Sequence, residues 1–395
     1  MLYLDVTQSC RSANNSGVQV VTRNLYRALA AKAQVQPLAW DPLLQCYAKL
    51  SLSERDRLEN PFPPDYKPTA RPNKRDNPAW KTFSRSILRL SRRMKWRGFA
   101  EAGATMIFPE VFRDARAKVL PLRLPGHLTK AAIFYDTYVL KEPEKTPPKR
   151  ARNFIEYAKF VASSNLILCI SRETKEDLER FILPEVEDHG HATVAYLPVE
   201  RPANLPSNPN TETSPLILCV STLGYQKNHL GLLEAAERLW KDGLDFRLEL
   251  IGKADPTWTG KILPRIDELR DEGKDLHWLR HVDDQKLADR YRHASFTVYP
   301  SRYEGFGLPI LESMAHGKPC VCGSNGALGE ASSEGGCLQV DQNDPASLAG
   351  GIRKLLEKGE LLQSLQEEAL GRDLGSWDDY ADSFLKNLSQ VDSSD

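Results

Sequence analysis

One stretch concentrates side chains able to do chemistry: Ser301-Arg-Tyr-Glu304-Gly305-Phe306-Gly307-Leu308-Pro309-Ile-Leu-Glu312. Apolar Phe296, Val298 and Tyr299 stop at Pro300, which predicts the end of a short buried strand. Gly305 and Gly307 let backbone approach a ligand closely. Pro309 suits a first helical turn, where an N–H has no helical partner. Free amides at such a helix start attract anions. Glu304 and Glu312 bracket the turn and can accept hydrogen bonds from hydroxyls. Amides for phosphate, with acids for hydroxyls, suit a sugar joined to a diphosphate.

The elements that must position this turn recur along the chain. Leu2–Val6, Thr105–Pro109, Ala131–Tyr135, Leu166–Ile170 and Val194–Leu197 read as short strands in the first half. Ser16-Gly17 opens a helix running to about residue 30, and Ser171 is a plausible cap for another. Leu216–Val220, Phe246–Ile251, His277–Leu279, Phe296–Tyr299 and Cys320–Cys322 repeat the pattern in the second half, each followed by helical text. Two βα series predict an α/β protein with two doubly wound, Rossmann-like domains facing a cleft. The boundaries expected are residues 1–200, a linker at 201–215 rich in proline, and 216–374. Trp377, Tyr380, Phe384 and Leu388 recur at helical spacing, so 375–392 is read as a final crossover helix belonging with the first domain.

Composition narrows the class. With 395 residues and 41% hydrophobic content, the chain can build two cores. Its formal net charge is zero, so no bulk field favours nucleic acid. The seven cysteines are scattered without a Cys-x2-Cys pair, which reads as reduced buried thiols in a cytoplasmic protein. No apolar run approaches about 18 residues, and Met1-Leu-Tyr-Leu-Asp5 lacks the basic start of a signal peptide. Neither half shows a metal-ligand cluster or an Asp-x-Asp, so no cofactor or metal is expected.

The Glu304-x7-Glu312 string, with Gly-Phe-Gly-Leu-Pro inside it, resembles the donor-site signature of glycosyltransferase family 4, retaining enzymes of the GT-B fold. The resemblance implies Glu312 on a donor ribose, Glu304 on the transferred sugar, and the backbone of Gly305, Phe306, Gly307 and Leu308 around the phosphates. Val220-Ser-Thr222-Leu-Gly-Tyr-Gln226-Lys227-Asn228 resembles the family's strand, loop and basic segment. It implies that Lys227 contacts the diphosphate, with Thr222 beside it. The family often carries an arginine near this lysine. Gln226 stands here instead, and Lys253 is a candidate substitute. His281 and Val282 match a segment that meets the nucleotide base. Gly17 matches a glycine turn near donor and acceptor. Tyr135-Asp136 stands where the family ends a strand in His-Asp, so Tyr135 and Asp136 join Glu304 and Lys227 as catalytic candidates. Tyrosine can donate a hydrogen bond but cannot become a cation near neutral pH.

A second feature lies in the first half. Residues Trp80–Arg97 carry seven bases with no acid, and Phe83, Ile87, Leu90 and Met94 mark an apolar stripe. The pattern predicts a basic amphipathic helix. It is either a helix packed on the core with its bases in water, or a contact for anionic membrane or a phosphorylated glycan. On the second reading Arg85, Arg89, Arg92 and Arg93 serve the acceptor side.

The expectation is thus a metal-independent hexosyltransferase. It would use a nucleotide diphosphate sugar and a glycan acceptor, which on the membrane reading of the basic helix is lipid-linked and met at the inner face of a membrane. The alternatives are a GT-B phosphorylase or synthase acting on sugar phosphates, and a catalytically degraded GT-B domain that binds glycans or partners.

Overall fold

The computed structural model describes residues 1–11, 16–60, 86–99, 101, 103–203, 214–280 and 282–392. Arg85 and His281, both singled out above, lie outside these residues, as does most of the proline-rich 201–215 segment. The chain divides into two compact units, Met1–Leu197 with Ser376–Asp395, and Pro198–Gly375.

The first unit runs β1 (Leu2–Asp5), α1 (Gly17–Lys32), β2 (Val35–Asp41), β3 (Cys46–Lys49), α2 (Leu52–Glu59), α3 (86–90), β4 (Thr105–Phe108), α4 (Arg116–Arg123), β5 (Thr129–Phe134), α5 (Tyr138–Lys141), α6 (Pro148–Ala162), β6 (Leu166–Cys169), α7 (Arg172–Phe181) and β7 (His191–Val194). Its seven strands are ordered β3-β2-β1-β4-β5-β6-β7, parallel except for β3. Both faces of β1 and β4 are buried, as an all-parallel centre requires. Aromatic residues fill the space between sheet and helices: Phe108 meets Phe160 edge to face at 4.9 Å, and Phe112 meets Tyr157 at 5.0 Å.

The second unit continues with β8 (Leu216–Val220), α8 (His229–Lys241), β9 (Arg247–Ile251), α9 (Thr259–Asp271), β10 (Leu276–Leu279), α10 (Asp284–His293), β11 (Phe296–Tyr299), α11 (Leu308–Ala315), β12 (Cys320–Gly323), α12 (Gly326–Ser332), β13 (Cys337–Val340), α13 (Pro345–Glu357) and α14 (Gly359–Gly371). Its six parallel strands are ordered β10-β9-β8-β11-β12-β13. The final helix α15 (Trp377–Asp392) belongs to the first unit, where Lys32 of α1 pairs with Asp378 and Asp382 at 2.9 and 2.8 Å.

Both sheets share one topological device. The chain moves outward from β1 to β2 and returns on the other side at β4. It does the same from β8 to β9 and β10 before returning at β11. Such switch points leave two loops diverging beyond the strand ends, the usual ligand site of an open α/β sheet.

Three sequence expectations change here. The strand expected at Val194–Leu197 is His191–Val194, because its partner β6 ends at Cys169, which is opposite Val194. Of the long helix expected over Trp80–Arg97, residues 80–85 lie outside the described residues, 86–90 are helical, and the helix has ended before Arg93, which forms a bridge to Ala48. Its faces are also inverted. Arg89 is fully buried, while Ile87, Leu88 and Leu90 are exposed. Arg89 donates to Glu54 and to the carbonyl of Trp40 at 3.2 Å, and pairs with Asp41 at 3.5 Å. Arg89 is therefore a structural ion-pair residue and does not face an acceptor or a membrane. Burial opposes the charge of Glu54, but the Ser51 amide and Arg89 outweigh it and hold the carboxyl down to about 2. Arg92 also pairs with Glu54, at 3.2 Å, and remains partly exposed, whereas Arg93 is exposed.

All seven cysteines are free thiols, six of them buried. Among the described residues no helix is long and apolar enough to cross a membrane.

Candidate functional site

The second unit gathers its functional side chains where β8 and β11 end. Gly252, after β9, has φ 148°, and a Cβ there would lie 2.0 Å from the Ser221 carbonyl oxygen. Only glycine lets the β8 and β9 exits approach so closely. Residues 221–228 then lead into α8, and residues 300–307 lead into α11. The two loops are knitted together. Gln226 Nε2 donates to the Tyr303 carbonyl at 2.7 Å, and the Gln226 carbonyl accepts from the Arg302 amide at 2.8 Å and the Ser301 hydroxyl at 3.0 Å. Gln226, standing where a cation was expected, thus acts as a fastener.

This fastening brings Lys227 onto Glu304. The ammonium donates to Glu304 Oε1 and to the Tyr299 hydroxyl at 3.0 Å. The same Oε1 accepts from the Tyr299 hydroxyl at 2.7 Å and from the Ser301 hydroxyl. Lys227 keeps 21% side-chain exposure and Glu304 11%, so the pair is open enough to meet a solute. Burial, reinforced by Glu304, pushes the Tyr299 phenol far up, so it stays a neutral hydroxyl.

Gly307 takes φ 103°, a left-handed value that favours glycine, and turns the chain into α11. Pro309 lies in the first turn of that helix, as the sequence predicts. Phe306 is buried as an anchor, while Gly305 and Leu308 stay partly exposed. Glu312, on α11, accepts a long bond from the Tyr291 hydroxyl at 3.4 Å. Burial raises its carboxyl above the ordinary value, the Tyr291 bond opposes this, and Asp284 adds to it. No cation pairs with it among the described residues. An acid held this way gains most from hydroxyl donors supplied by a ligand.

The other candidates are more dispersed. Thr222 and Lys253 are exposed on neighbouring loops, joined through the Leu223 amide, which donates to the Lys253 carbonyl at 2.8 Å. Val282 packs beside the cluster of Leu216, Leu218 and Ile251. In the first unit Gly17 is the first residue of α1, with Ser16 before it donating its amide to Gln19 Oε1 at 3.2 Å. Asp136 is partly exposed and accepts from the Tyr138 amide at 3.2 Å. Tyr135 is the other candidate of the first unit. It is buried, and its hydroxyl donates to the Pro109 carbonyl at 2.6 Å. Among the described residues no group of three His, Cys, Asp or Glu could hold a metal.

Sequence reading missed Tyr299, Ser301 and Arg302 as site residues. Tyr299 was read only as an apolar strand position. Nothing local showed that its hydroxyl would lie between Lys227 and Glu304.

The fold is of the GT-B class. Sucrose-phosphate synthase from Thermosynechococcus elongatus superposes over 100% of this chain and 99% of its own, with TM-score 0.68 and 19% identity. Anabaena HepE in complex with UDP and glucose superposes over 98% of this chain and 99% of its own, with TM-score 0.62 and 14% identity. Residues 200–372 match the family of glycosyl transferases group 1. An O-antigen chain mannosyltransferase B of Escherichia coli is 30% identical over 62% of this chain and 64% of its own length. The serotype-specific mannosyltransferase WbdA of Escherichia coli is 24% identical over 72% of this chain. The match spans 36% of WbdA, so this chain corresponds to about a third of that relative. The whole chain thus has the GT-B fold, and its residues 200–372 resemble the group 1 glycosyl transferases.

Proposed function

We propose that the chain transfers a hexose-type sugar from a nucleotide diphosphate sugar to a glycan, with retention at the sugar carbon, in assembling a cell-surface polysaccharide. The observation that carries this is the Lys227–Glu304 pair at the β8/β11 switch point, with Glu312 about one turn along α11. Glu312 would accept from ribose hydroxyls. Lys227 would leave Glu304 for the diphosphate, and Glu304 would turn to the sugar. As the sugar–phosphate bond breaks, negative charge grows on the leaving oxygen. Lys227 and the amides at the α11 start would stabilise it, so the reaction would proceed without metal. The acceptor hydroxyl would attack from the face the phosphate leaves, passing its proton to a departing phosphate oxygen.

The acceptor side is assigned to the first unit. Exposed Ile87, Leu88 and Leu90 with exposed Arg93 and Lys95 favour a lipid-linked acceptor at an anionic membrane surface, and on this reading the protein would work at the inner face of that membrane. The Tyr135 bond to Pro109 favours one second reading, a GT-B protein that binds nucleotide without turnover. Incubation with a panel of nucleotide sugars, with and without chelator, tests both. Slow donor hydrolysis that survives chelation supports the transferase. Binding without any hydrolysis or transfer supports the second reading, and no binding at all would contradict both.

A further inference from the structure

Asn228 separates Lys227 from α8 in a left-handed conformation, φ 50° and ψ 38°. Among described residues other than glycine, only Gln45 shares a positive φ. Backbone held in that region needs surrounding structure to fix it. Asn228 is 3% exposed, and its side chain does not cap the helix it precedes. Its Nδ2 instead donates to the Gln342 carbonyl at 2.6 Å, and its Oδ1 accepts from Arg302 at 2.7 Å. Arg302 donates through its other terminal nitrogen to Asn343 Oδ1 at 2.5 Å. Its guanidinium also lies 5.2 Å over the Tyr225 ring, which stacks on Trp258 at 5.0 Å. Arg302 forms no ion pair among the described residues. One planar fork therefore joins the loops after β8, β11 and β13. The third residue of α8, Gly231, leaves room for this. A Cβ there would lie 2.7 Å from Asn228 Nδ2.

We propose that Arg302 is a positioning residue, which locks Asn228 in its left-handed conformation and so aims Lys227 at Glu304 and at the diphosphate. The diphosphate part rests on the donor reading above. Both terminal nitrogens are engaged by asparagine side chains, so the fork acts through geometry and not as a phosphate-binding charge. Lysine keeps the charge and loses the fork. Alanine at 231 keeps both but presses on the Asn228 amide, although alanine ordinarily favours a helix over glycine.

The test compares wild type, Arg302→Lys, Arg302→Met and Gly231→Ala. Titrations use UDP, GDP and the corresponding nucleosides. Acetylation of Lys227 by acetic anhydride, read by mass spectrometry, reports its freedom without any ligand. All three variants should lose about tenfold or more in diphosphate affinity, as expected when a charge-assisted contact is misaligned. Nucleoside affinity should be unchanged, and Lys227 should acetylate several-fold faster. Arg302→Lys behaving like wild type in both readouts would overturn the lock. So would unchanged Lys227 acetylation in folded Arg302→Met. If wild type binds neither diphosphate, the donor reading fails while acetylation still judges the lock.

Discussion

The two switch points share a topology and use their charges in opposite ways. At the β1/β4 exit, Asp5 accepts from Arg116 at 2.6 Å, Tyr47 at 2.7 Å and Thr7, and every member is buried. Glu110 beside it accepts from the Gln8 and Ser9 amides at 2.6 and 2.7 Å and from the Ser9 hydroxyl. Burial, with Asp5 adding to it, raises the Glu110 carboxyl to about 7 despite those donors. At the β8/β11 exit, Lys227 and Glu304 pair at a partly exposed surface, and Glu312 pairs with no cation among the described residues. The first arrangement closes a loop with groups already satisfied. The second holds groups that a solute can re-pair. A shared switch-point topology therefore does not make identical sites; the free surface of the charged groups decides.

The sharpest way to break this comparison is to remove one cation from each site. Arg116→Met leaves Asp5 buried without its cation, and should cost roughly 3–5 kcal/mol of stability by urea denaturation. Lys227→Met should cost under about 1 kcal/mol, because its pair is partly hydrated, but should weaken diphosphate binding by about 1.5–3 kcal/mol. Equal stability losses in the two variants would erase the contrast.

Glu304→Gln sharpens the second half. Removing the carboxylate frees Lys227 from its resting partner. Nucleoside diphosphate binding should be kept or tightened severalfold while transfer of sugar falls by about 10² or more. Weaker diphosphate binding in this variant would show that the pair does not compete with ligand.

Glu312 gives the smaller, pH-dependent effect. Its folded-state carboxyl is raised above the unfolded value, so the native state holds the proton more tightly. Its contribution therefore favours the fold at low pH and declines as pH rises through the window above the ordinary glutamate value. Glu312→Gln should leave stability at pH 7 equal or slightly higher, yet weaken binding of a ribonucleoside. In wild type that binding should fall, on acidification, at a higher pH than an ordinary glutamate would allow. Calorimetric titrations across about pH 4.5 to 8 would show a flat profile if the assignment were wrong.

Much of the second site was legible because its signals are local. Glycine, proline and the two acids lie within one strand–turn–helix, and Gly307 and Pro309 have the backbone roles their types suggest. The first unit was less legible where long-range charge decided. The stripe of Ile87 and Leu90 reads as a core face, yet Asp41 and Glu54 draw Arg89 inward and turn those side chains to the surface. A hydrophobic pattern does not reveal acids many residues away. Strands β2, β3 and β13 were also missed. Pro37 interrupts β2, β3 has only four residues, and Gly335 and Gly336 before β13 read as loop. The lock through Arg302 was invisible for the same reason as Arg89, since its partners lie in two other loops, far away in sequence.

The central claim is that a nucleoside diphosphate binds at the β8/β11 switch point through Lys227 at one end and Glu312 at the other. Calorimetric titration of UDP and GDP into wild type, Lys227→Met, Glu312→Gln and the double variant tests it most directly. One of the two nucleotides should bind wild type, each single variant should lose affinity, and the double variant should show no measurable binding. Wild-type affinity for that nucleotide in the double variant would contradict the account.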